Sequence, residues 1–196
     1  MTVRTVRIPS GRVWLRIAAP TWTDPLDPSF SEKQGGRWNP PGSYPALYLN
    51  GDVATARMQV ERMLSGSPVT IDDLADDAYF LIAAALPRAQ TCANAVTADG
   101  LRALGLPDTY PGNPDGTLIG QPKCQAIGKR VRSRGLRGMW CRSAVTIDGR
   151  GRELAWFPAT NRSRARPIWK NALPIESWRY AAKWEDIGVD PQPDPV

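Results

Sequence analysis

Apolar and polar residues alternate in several short runs along the chain, and these runs predict β-strands. RVWLRI at 12–17 and ALYL at 46–49 have the period of a strand. The run AYFLIAAAL at 78–86 is apolar almost throughout, which is typical of a buried strand. Two more strands, at 138–145 and 153–158, flank the turn DGRG, and a further short strand is expected near PIWKNAL.

The clearest helical pattern covers residues 53–64. Asp52 precedes it and can cap its first turn, because its carboxylate can accept a hydrogen bond from a free backbone N–H. The predicted buried stripe consists of Val53, Ala56, Val60, Met63 and Leu64. Glu61 lies beside this stripe, so its carboxylate could face a cleft, or it could pair on the surface with Arg57 one turn earlier.

Two further helices and two loops complete the pattern. The segment TADGLRALG, at 97–105, predicts a short helix that ends at glycine, and the basic segment at 122–135 predicts a longer one. The residues that this basic helix turns inward are Cys124, Ile127 and Val131. Residues 18–34 and 107–120 are rich in turn-forming residues and predict loops.

Separated strands and helices of this kind predict an α+β fold. With 196 residues and no evident linker, residues 1–184 are expected to form one domain. Residues 185–196 are acidic and proline-rich with little to bury, so we expect a disordered tail. The chain has no apolar run of about 18 residues and no signal-peptide pattern, so we expect a cytoplasmic protein without membrane contact.

The absence of histidine narrows the chemistry. It excludes His-ligated zinc and the Ser-His and Cys-His nucleophile pairs. The 3 cysteines have no CxxC spacing and provide no metal framework. Catalysis at neutral pH would therefore use carboxylates, hydroxyls, tyrosines and arginines, and we expect no metal and no bound cofactor.

The net charge of +6 is concentrated in one part of the chain. Residues 123–166 contain 12 basic and 2 acidic residues, whereas the rest contains 13 basic and 17 acidic residues. Such a segment favours an anionic ligand, either nucleic acid or a phosphorylated small molecule, although a solvated basic face would look the same. The chain has no P-loop, Rossmann or nucleophile-elbow motif and no recognisable nucleic-acid reader.

The most distinctive stretch is GGRWNPPGSYPALYLN, at 35–50. Its glycines allow a tight backbone and its prolines stiffen the far side of the loop. Arg37 would then be held rigidly, which suits a planar fork that binds phosphate or carboxylate. Trp38 could form a wall for a flat ring, or it could pack in the core while Arg37 makes a structural ion pair. Ser143 lies in an apolar strand, where it is a candidate hydrogen-bond donor to a ligand.

These blocks together resemble the RES domain family, which is named for an arginine, a glutamate and a serine. The resemblance covers roughly residues 12–160 and is carried by Arg16 in WLRI, by GGRWN with ALYL, by Glu61 in ARMQVERML and by Ser143 in GLRGMWCRSA. It implies a fold like that of ADP-ribosyltransferase toxins, with a split β-core, surrounding helices and a cleft that binds NAD.

The resemblance also implies roles for individual residues. Arg16 and Arg37 match the family's arginines on the phosphate and ribose side of NAD, and Arg37, Glu61 and Ser143 are its candidate catalytic residues. Tyr48 matches the aromatic residue beside the nicotinamide, and Trp38 is a further candidate for NAD binding.

Members of this family are typically toxins of bacterial toxin–antitoxin pairs that consume NAD, and their antitoxins carry a helix-turn-helix-type DNA-binding domain. We therefore expect NAD as substrate, phosphate, water or a protein as acceptor, and a cognate antitoxin as partner. Within this class, a protein mono-ADP-ribosyltransferase is the alternative to an NAD phosphorylase or glycohydrolase. Outside it, the alternative is a non-enzymatic nucleic-acid-binding module, although we do not expect direct nucleic-acid binding.

Overall fold

The computed structural model describes residues 2–146 and 148–195, and a nine-stranded mixed sheet forms its centre. The strands are β1 Thr5–Ile8, β2 Trp14–Ala18, β3 Leu47–Asn50, β4 Phe80–Ala85, β5 Gln90–Ala95, β6 Gly138–Arg142, β7 Arg152–Trp156, β8 Arg166–Pro167 and β9 Leu173–Pro174. The helices are α1 Ser29–Gln34, α2 Val53–Leu64, α3 Ala98–Leu104 and α4 Gln121–Ser133. Short 3₁₀ turns lie at Ile71–Asp73, Asn161–Ser163, Ile175–Ser177 and Trp184–Ile187.

The strands follow the order β1-β5-β6-β7-β3-β2-β4-β8, and β9 also pairs with β4. Adjacent strands are antiparallel except for β5 and β6, which α3 and α4 connect as a parallel pair. The architecture is the α+β arrangement that the sequence predicts. None of the helices in the described part of the chain combines the length and apolar character that a bilayer span requires.

The sheet nearly divides between β2 and β3. These strands pair only where Leu15 lies opposite Asn50, whereas β2 pairs along its whole length with β4. Beyond Leu15 the side chain of Arg16 bridges the two strands, because its Nη1 donates a hydrogen bond to the backbone oxygen of Tyr48 at 2.8 Å. The gap in the sheet therefore positions a cation.

The two faces of β7 carry different side chains, because neighbouring residues of a strand point to opposite sides. Leu154 and Trp156 belong to a buried apolar cluster on one face of the sheet. Ala155 belongs to a second cluster on the opposite face, which also contains Tyr44, Tyr110 and residues of α3 and α4. Glu153 shares the face of Ala155. A carboxylate thus lies on a face that is otherwise apolar.

The local predictions for α2 are confirmed. The helix runs from Val53 to Leu64, and Asp52 caps it by accepting a hydrogen bond from the backbone N–H of Thr55 at 2.6 Å. Part of the predicted stripe is wrong, because Met63 is 53% exposed at the end of the helix. The stripe remains buried at Val53, Ala56 and Val60.

The other strand and helix predictions also match the structure closely, with two kinds of exception. The strands β1 and β5 were not expected. The sequence TVRI of β1 alternates but is only four residues long, and the sequence QTCANA of β5 has little apolar character. The predicted loop at 18–34 contains the short helix α1 at its end.

The C-terminal tail contacts the body of the protein. The buried side chain of Arg12 donates a hydrogen bond from Nη1 to the backbone oxygen of Pro193 and lies 3.9 Å from the carboxylate of Asp194, while disorder of residues 185–196 stays a prediction. A buried guanidinium needs acceptors, and the tail supplies them. Val196 lies outside the described residues.

Candidate active site

A cleft of about 430 Å³ opens where β2 and β3 separate. Three of the residues expected at the site, Arg16, Arg37 and Tyr48, line this cleft together. The other side chains that matter for its chemistry are Asp27, Phe30, Gln59, Arg62, Gln121 and Glu153. Cations and one buried carboxylate therefore face the same space.

Arg16 is fixed by two backbone oxygens. Its Nε donates to Pro25 and its Nη1 to Tyr48, both at 2.8 Å, and Nη2 has no hydrogen-bond partner among residues 2–146 and 148–195. Burial lowers the pKa of Arg16 to about 10, although Glu153 raises it. The guanidinium stays charged at neutral pH and can direct its free nitrogen to a ligand.

The loop before β3 is shaped by its glycines and an asparagine. Gly35 has a φ of 77°, and a Cβ on Gly36 would lie 2.5 Å from the hydroxyl of Tyr48, so a larger residue would clash. That hydroxyl donates to Oδ1 of Asn39 and accepts from the backbone N–H of Trp38, each at 2.8 Å. Burial raises the pKa of Tyr48 well above its ordinary value, so the ring remains a neutral wall of the cleft.

Arg37 projects from this loop beside Tyr110. Its Nε donates to the Tyr110 hydroxyl at 2.9 Å, and its guanidinium carbon lies 5.3 Å from the centre of that ring. Its Nη2 is buried and has no hydrogen-bond partner within the described part of the chain. A buried, unpaired donor is costly, so a guanidinium held in this way is suited to an anionic ligand.

Glu153 is the carboxylate of the cleft. Its Oε2 accepts a hydrogen bond from the hydroxyl of Ser143 at 3.4 Å, and Ser143 itself is completely buried. Burial raises the pKa of Glu153 to about 7, while Arg37, Ser143 and Arg16 lower it. Neither arginine forms an ion pair with it or with another described residue. The carboxylate can therefore gain or lose a proton near neutral pH.

Three of the predicted site residues do not line the cleft: Ser143, which is completely buried, Glu61 and Trp38. Glu61 is on the surface of α2, where its carboxylate lies 3.4 Å from Nε of Arg57, as in the alternative interpretation of the sequence. The residue of this helical turn that faces the cleft is Gln59. Successive residues of a helix are rotated by about 100° around its axis, so Gln59 and Glu61, two positions apart, point to nearly opposite sides. The placement of Glu61 in the cleft was therefore wrong.

Trp38 is also a core residue. Its side chain is completely buried and packs 5.8 Å from the ring of Tyr110, and Tyr44 donates a hydrogen bond to its backbone oxygen. A wall for a ligand ring needs an accessible face, so the structure does not support a binding role for Trp38. Its alternative as a packing residue is the correct one.

Sequence reasoning missed Glu153, although a signal was present. It is one of the 2 acidic residues in the basic segment 123–166, and it directly precedes the apolar residues Leu154, Ala155 and Trp156 of β7. A charged residue in such a strand faces an apolar environment on either side of the sheet, which points to a buried functional group. Its separation from the other site residues along the chain hid its place beside them.

The arrangement can bind an anion and stabilise positive charge on a bound molecule. Arg16 and Arg37 supply guanidinium donors, Tyr48 supplies a flat wall, and Glu153 supplies a carboxylate in a buried setting, where electrostatic interactions are strong. Within residues 2–146 and 148–195, no group of cysteine, aspartate and glutamate residues could hold a metal ion.

Part of the sequence is similar to that of known proteins. A segment of 58 residues is 34% identical to the NAD(+) phosphorylase MbcT of Mycobacterium bovis, and to MbcT of two Mycobacterium tuberculosis strains. That match covers 30% of this chain and spans only 31% of the length of these relatives.

The fold has a solved counterpart in the crystal structure of the M. tuberculosis MbcT–MbcA toxin–antitoxin complex. The two chains superpose with a TM-score of 0.67 over 89% of this chain and 91% of the other, at 21% identity. The RES domain profile matches residues 6–183, which include every residue of the cleft. The chain therefore belongs to the RES domain family.

Proposed function

We propose that this protein consumes NAD by breaking the bond between nicotinamide and ribose, as an NAD phosphorylase or glycohydrolase. The observation that supports the proposal is one cleft shared by Arg16, Arg37 and the buried carboxylate of Glu153. Neither arginine has an ion-pair partner among the residues that the structure describes. The diphosphate of NAD carries the anionic charge that such arginines bind, and guanidinium groups can hold it with paired hydrogen bonds.

The chemistry follows from the charges. Nicotinamide in NAD is already a cationic leaving group, so its departure needs neither a metal nor a strong acid. The barrier is the formation of an oxocarbenium-like ribose, which a nearby carboxylate stabilises electrostatically. We assign this role to ionised Glu153, in place of Glu61. Ser143 orients the carboxylate, and Arg16, Arg37 and Tyr48 bind the substrate and restrict its motion.

The reaction balances with each acceptor that we considered. The bond between C1″ of the nicotinamide-side ribose and the nicotinamide nitrogen breaks, and nicotinamide leaves as a neutral base with the bonding electrons. The acceptor oxygen forms a new bond to C1″, and where that oxygen carries a proton, as in water or a side-chain hydroxyl, the proton passes to solvent. Phosphate gives ADP-ribose 1″-phosphate, water gives ADP-ribose, and a protein side chain becomes ADP-ribosylated. The similarity to an NAD(+) phosphorylase, and the cationic rim residue Arg62, favour phosphate.

The nucleic-acid alternative loses support in the structure. Several arginines of the basic segment bind the protein's own backbone rather than presenting free charge. Arg142 donates to the backbone oxygens of Val96, Asp108 and Tyr110, and Arg152 donates to those of Gly149 and Arg150. Part of the basic character is therefore structural.

The test is incubation of the purified protein with NAD, with and without phosphate, followed by mass spectrometry. We expect nicotinamide release that depends on phosphate, together with ADP-ribose 1″-phosphate. ADP-ribose formed at equal rate in both samples would identify a glycohydrolase, and an ADP-ribose adduct on protein would identify a transferase. Intact NAD in every sample, with folded protein, would reject the proposal.

We also propose that the protein acts as a toxin that a cognate antitoxin with a helix-turn-helix-type DNA-binding domain restrains. An enzyme that depletes NAD requires control, and the cationic cleft would attract an acidic or C-terminal segment of the partner near Arg16 and Arg37. Expression of the chain alone should arrest growth and lower cellular NAD. Normal growth with unchanged NAD, from abundant folded protein, would contradict the toxin assignment.

A further inference from the structure

A second cavity, of about 390 Å³, adjoins the cleft on the far side of Arg16. Arg16, Asp27 and Phe30 line both cavities, whereas Glu153 lines only the first and Trp22 only the second. Arg16 therefore lies between a compartment that contains the carboxylate and a compartment that contains exposed aromatic rings.

The aromatic rings of this second cavity are unusually accessible. Trp22 is 49% exposed and Phe30 is 75% exposed, whereas most of the other tryptophans are buried in the core. The guanidinium carbon of Arg16 lies 5.5 Å from the centre of the Trp22 ring. Large exposed rings beside a cation favour a ligand that combines a flat ring with negative charge.

Hydrogen bonds and ion pairs hold the segment that carries these rings in place. Arg16 donates to the backbone oxygen of Pro25, and Arg164 pairs with Asp24 at 2.8 Å and with Asp27 at 3.1 Å. Asp27 also accepts a hydrogen bond from the hydroxyl of Ser29 at 2.6 Å. Arg164 offsets one of the two negative charges of Asp24 and Asp27, which weakens their repulsion of an anion at Arg16.

We infer that Trp22 and Phe30 form the binding site for the adenine of the dinucleotide. The inference rests on the proposed NAD cleavage. If the bond to nicotinamide breaks beside Glu153 and the diphosphate lies at Arg16, the adenosine half extends to the other side of Arg16. The cavity there offers two rings against which a purine can stack, and stacking on aromatic side chains recognises bases through their flat faces.

The test uses the two halves of the substrate as separate probes. ADP carries the adenosine and the diphosphate, and nicotinamide mononucleotide carries the other ring. We expect Trp22→Ala and Phe30→Ala each to weaken ADP binding by about 10-fold, since stacking on one side chain contributes on this order. The affinity for nicotinamide mononucleotide should stay unchanged, and Trp22→Phe should retain most of the ADP affinity because it keeps a ring.

Tyr180→Ala is the matched control, since Tyr180 is 72% exposed but lines neither cavity. Isothermal titration calorimetry measures the affinities, and circular dichroism verifies that each variant is folded. Because the Phe30 side chain is highly exposed, replacing it with alanine should not disturb the core. Unchanged ADP affinity in both alanine variants, or a larger loss for nicotinamide mononucleotide than for ADP, would overturn the inference. The proposed function would stand in that case, provided that the wild type still cleaves NAD. A wild type that binds neither probe and leaves NAD intact would overturn the proposed function as well.

Discussion

The hydroxyl of Ser143 lies 3.4 Å from Oε2 of Glu153, at the buried wall of the cleft. Ser143 directly follows β6, and Glu153 lies on β7 opposite Cys141, so the antiparallel pairing of these strands brings the two side chains together. The hydroxyl is the donor, and it favours the ionised carboxylate. We therefore propose that Ser143, the serine matched to the RES motif, is a positioning residue for Glu153.

Ser143→Ala should shift the pH dependence of NAD cleavage upward. The reaction needs ionised Glu153, so the rate rises as pH passes through the pKa of this carboxyl, which is about 7. Without the hydroxyl donor the protonated form is favoured, and the midpoint moves to higher pH. The pH profile of kcat/KM measures the shift, and Ser133→Ala, which removes an exposed hydroxyl of α4, is the control. An unmoved midpoint would mean that Ser143 does not act on Glu153.

Glu153→Gln should stabilise the protein at high pH relative to low pH. Burial raises the pKa of Glu153 to about 7 from an ordinary value of 4.5, so between these values the folded state holds a proton that the unfolded state has lost. Raising the pH through this window destabilises the wild type, and glutamine does not titrate. The difference in free energy of unfolding between variant and wild type should grow by about 3 kcal/mol from pH 4 to pH 8.

Urea unfolding of both proteins at a series of pH values measures this difference. Glu61→Gln is the control, because its exposed ion pair with Arg57 contributes at most about 1 kcal/mol. A difference for Glu153→Gln that does not vary with pH would show that the carboxyl is not buried with a raised pKa.

Arg37→Lys should lose most of the activity although the charge is kept. Lysine cannot form the paired hydrogen bonds of a guanidinium, nor can it hold the Tyr110 hydroxyl in the same geometry. We expect a loss of about 1.5–3 kcal/mol in transition-state stabilisation, the usual size of a hydrogen bond to a charged group. Steady-state kinetics of NAD cleavage give the value, with Arg130→Lys as control because Arg130 binds the backbone oxygen of Leu104. Turnover equal to the wild type would remove Arg37 from the site.

Much of the fold was predictable because its signals are local. Asp52 and the apolar period that follows it define α2, and the apolar run at 78–86 defines β4. The strand β5 was missed because its polar sequence is stabilised by pairing with β1 and with the parallel strand β6, which lies far along the chain. Such pairing leaves no local pattern.

The candidate site was predictable only in part, for a geometric reason. Arg16, Arg37 and Tyr48 were identified through their match to motifs of the RES domain family, and the structure brings them to one cleft. The carboxylate was not, because the choice between Glu61 and Glu153 depends on which side of a helix and which face of a strand meet the cleft. Burial, and not motif spacing, distinguishes the two.

The rate of nicotinamide release by Glu153→Gln and by Glu61→Gln, measured beside the wild type at pH 8 with NAD and phosphate, tests the central claim most directly. Both variants remove one carboxylate and keep its shape. The account predicts that Glu153→Gln is slower by about 100-fold or more, as is usual when an electrostatic stabiliser of the transition state is lost, while Glu61→Gln retains the wild-type rate. Full activity in Glu153→Gln, or loss of activity confined to Glu61→Gln, would contradict it.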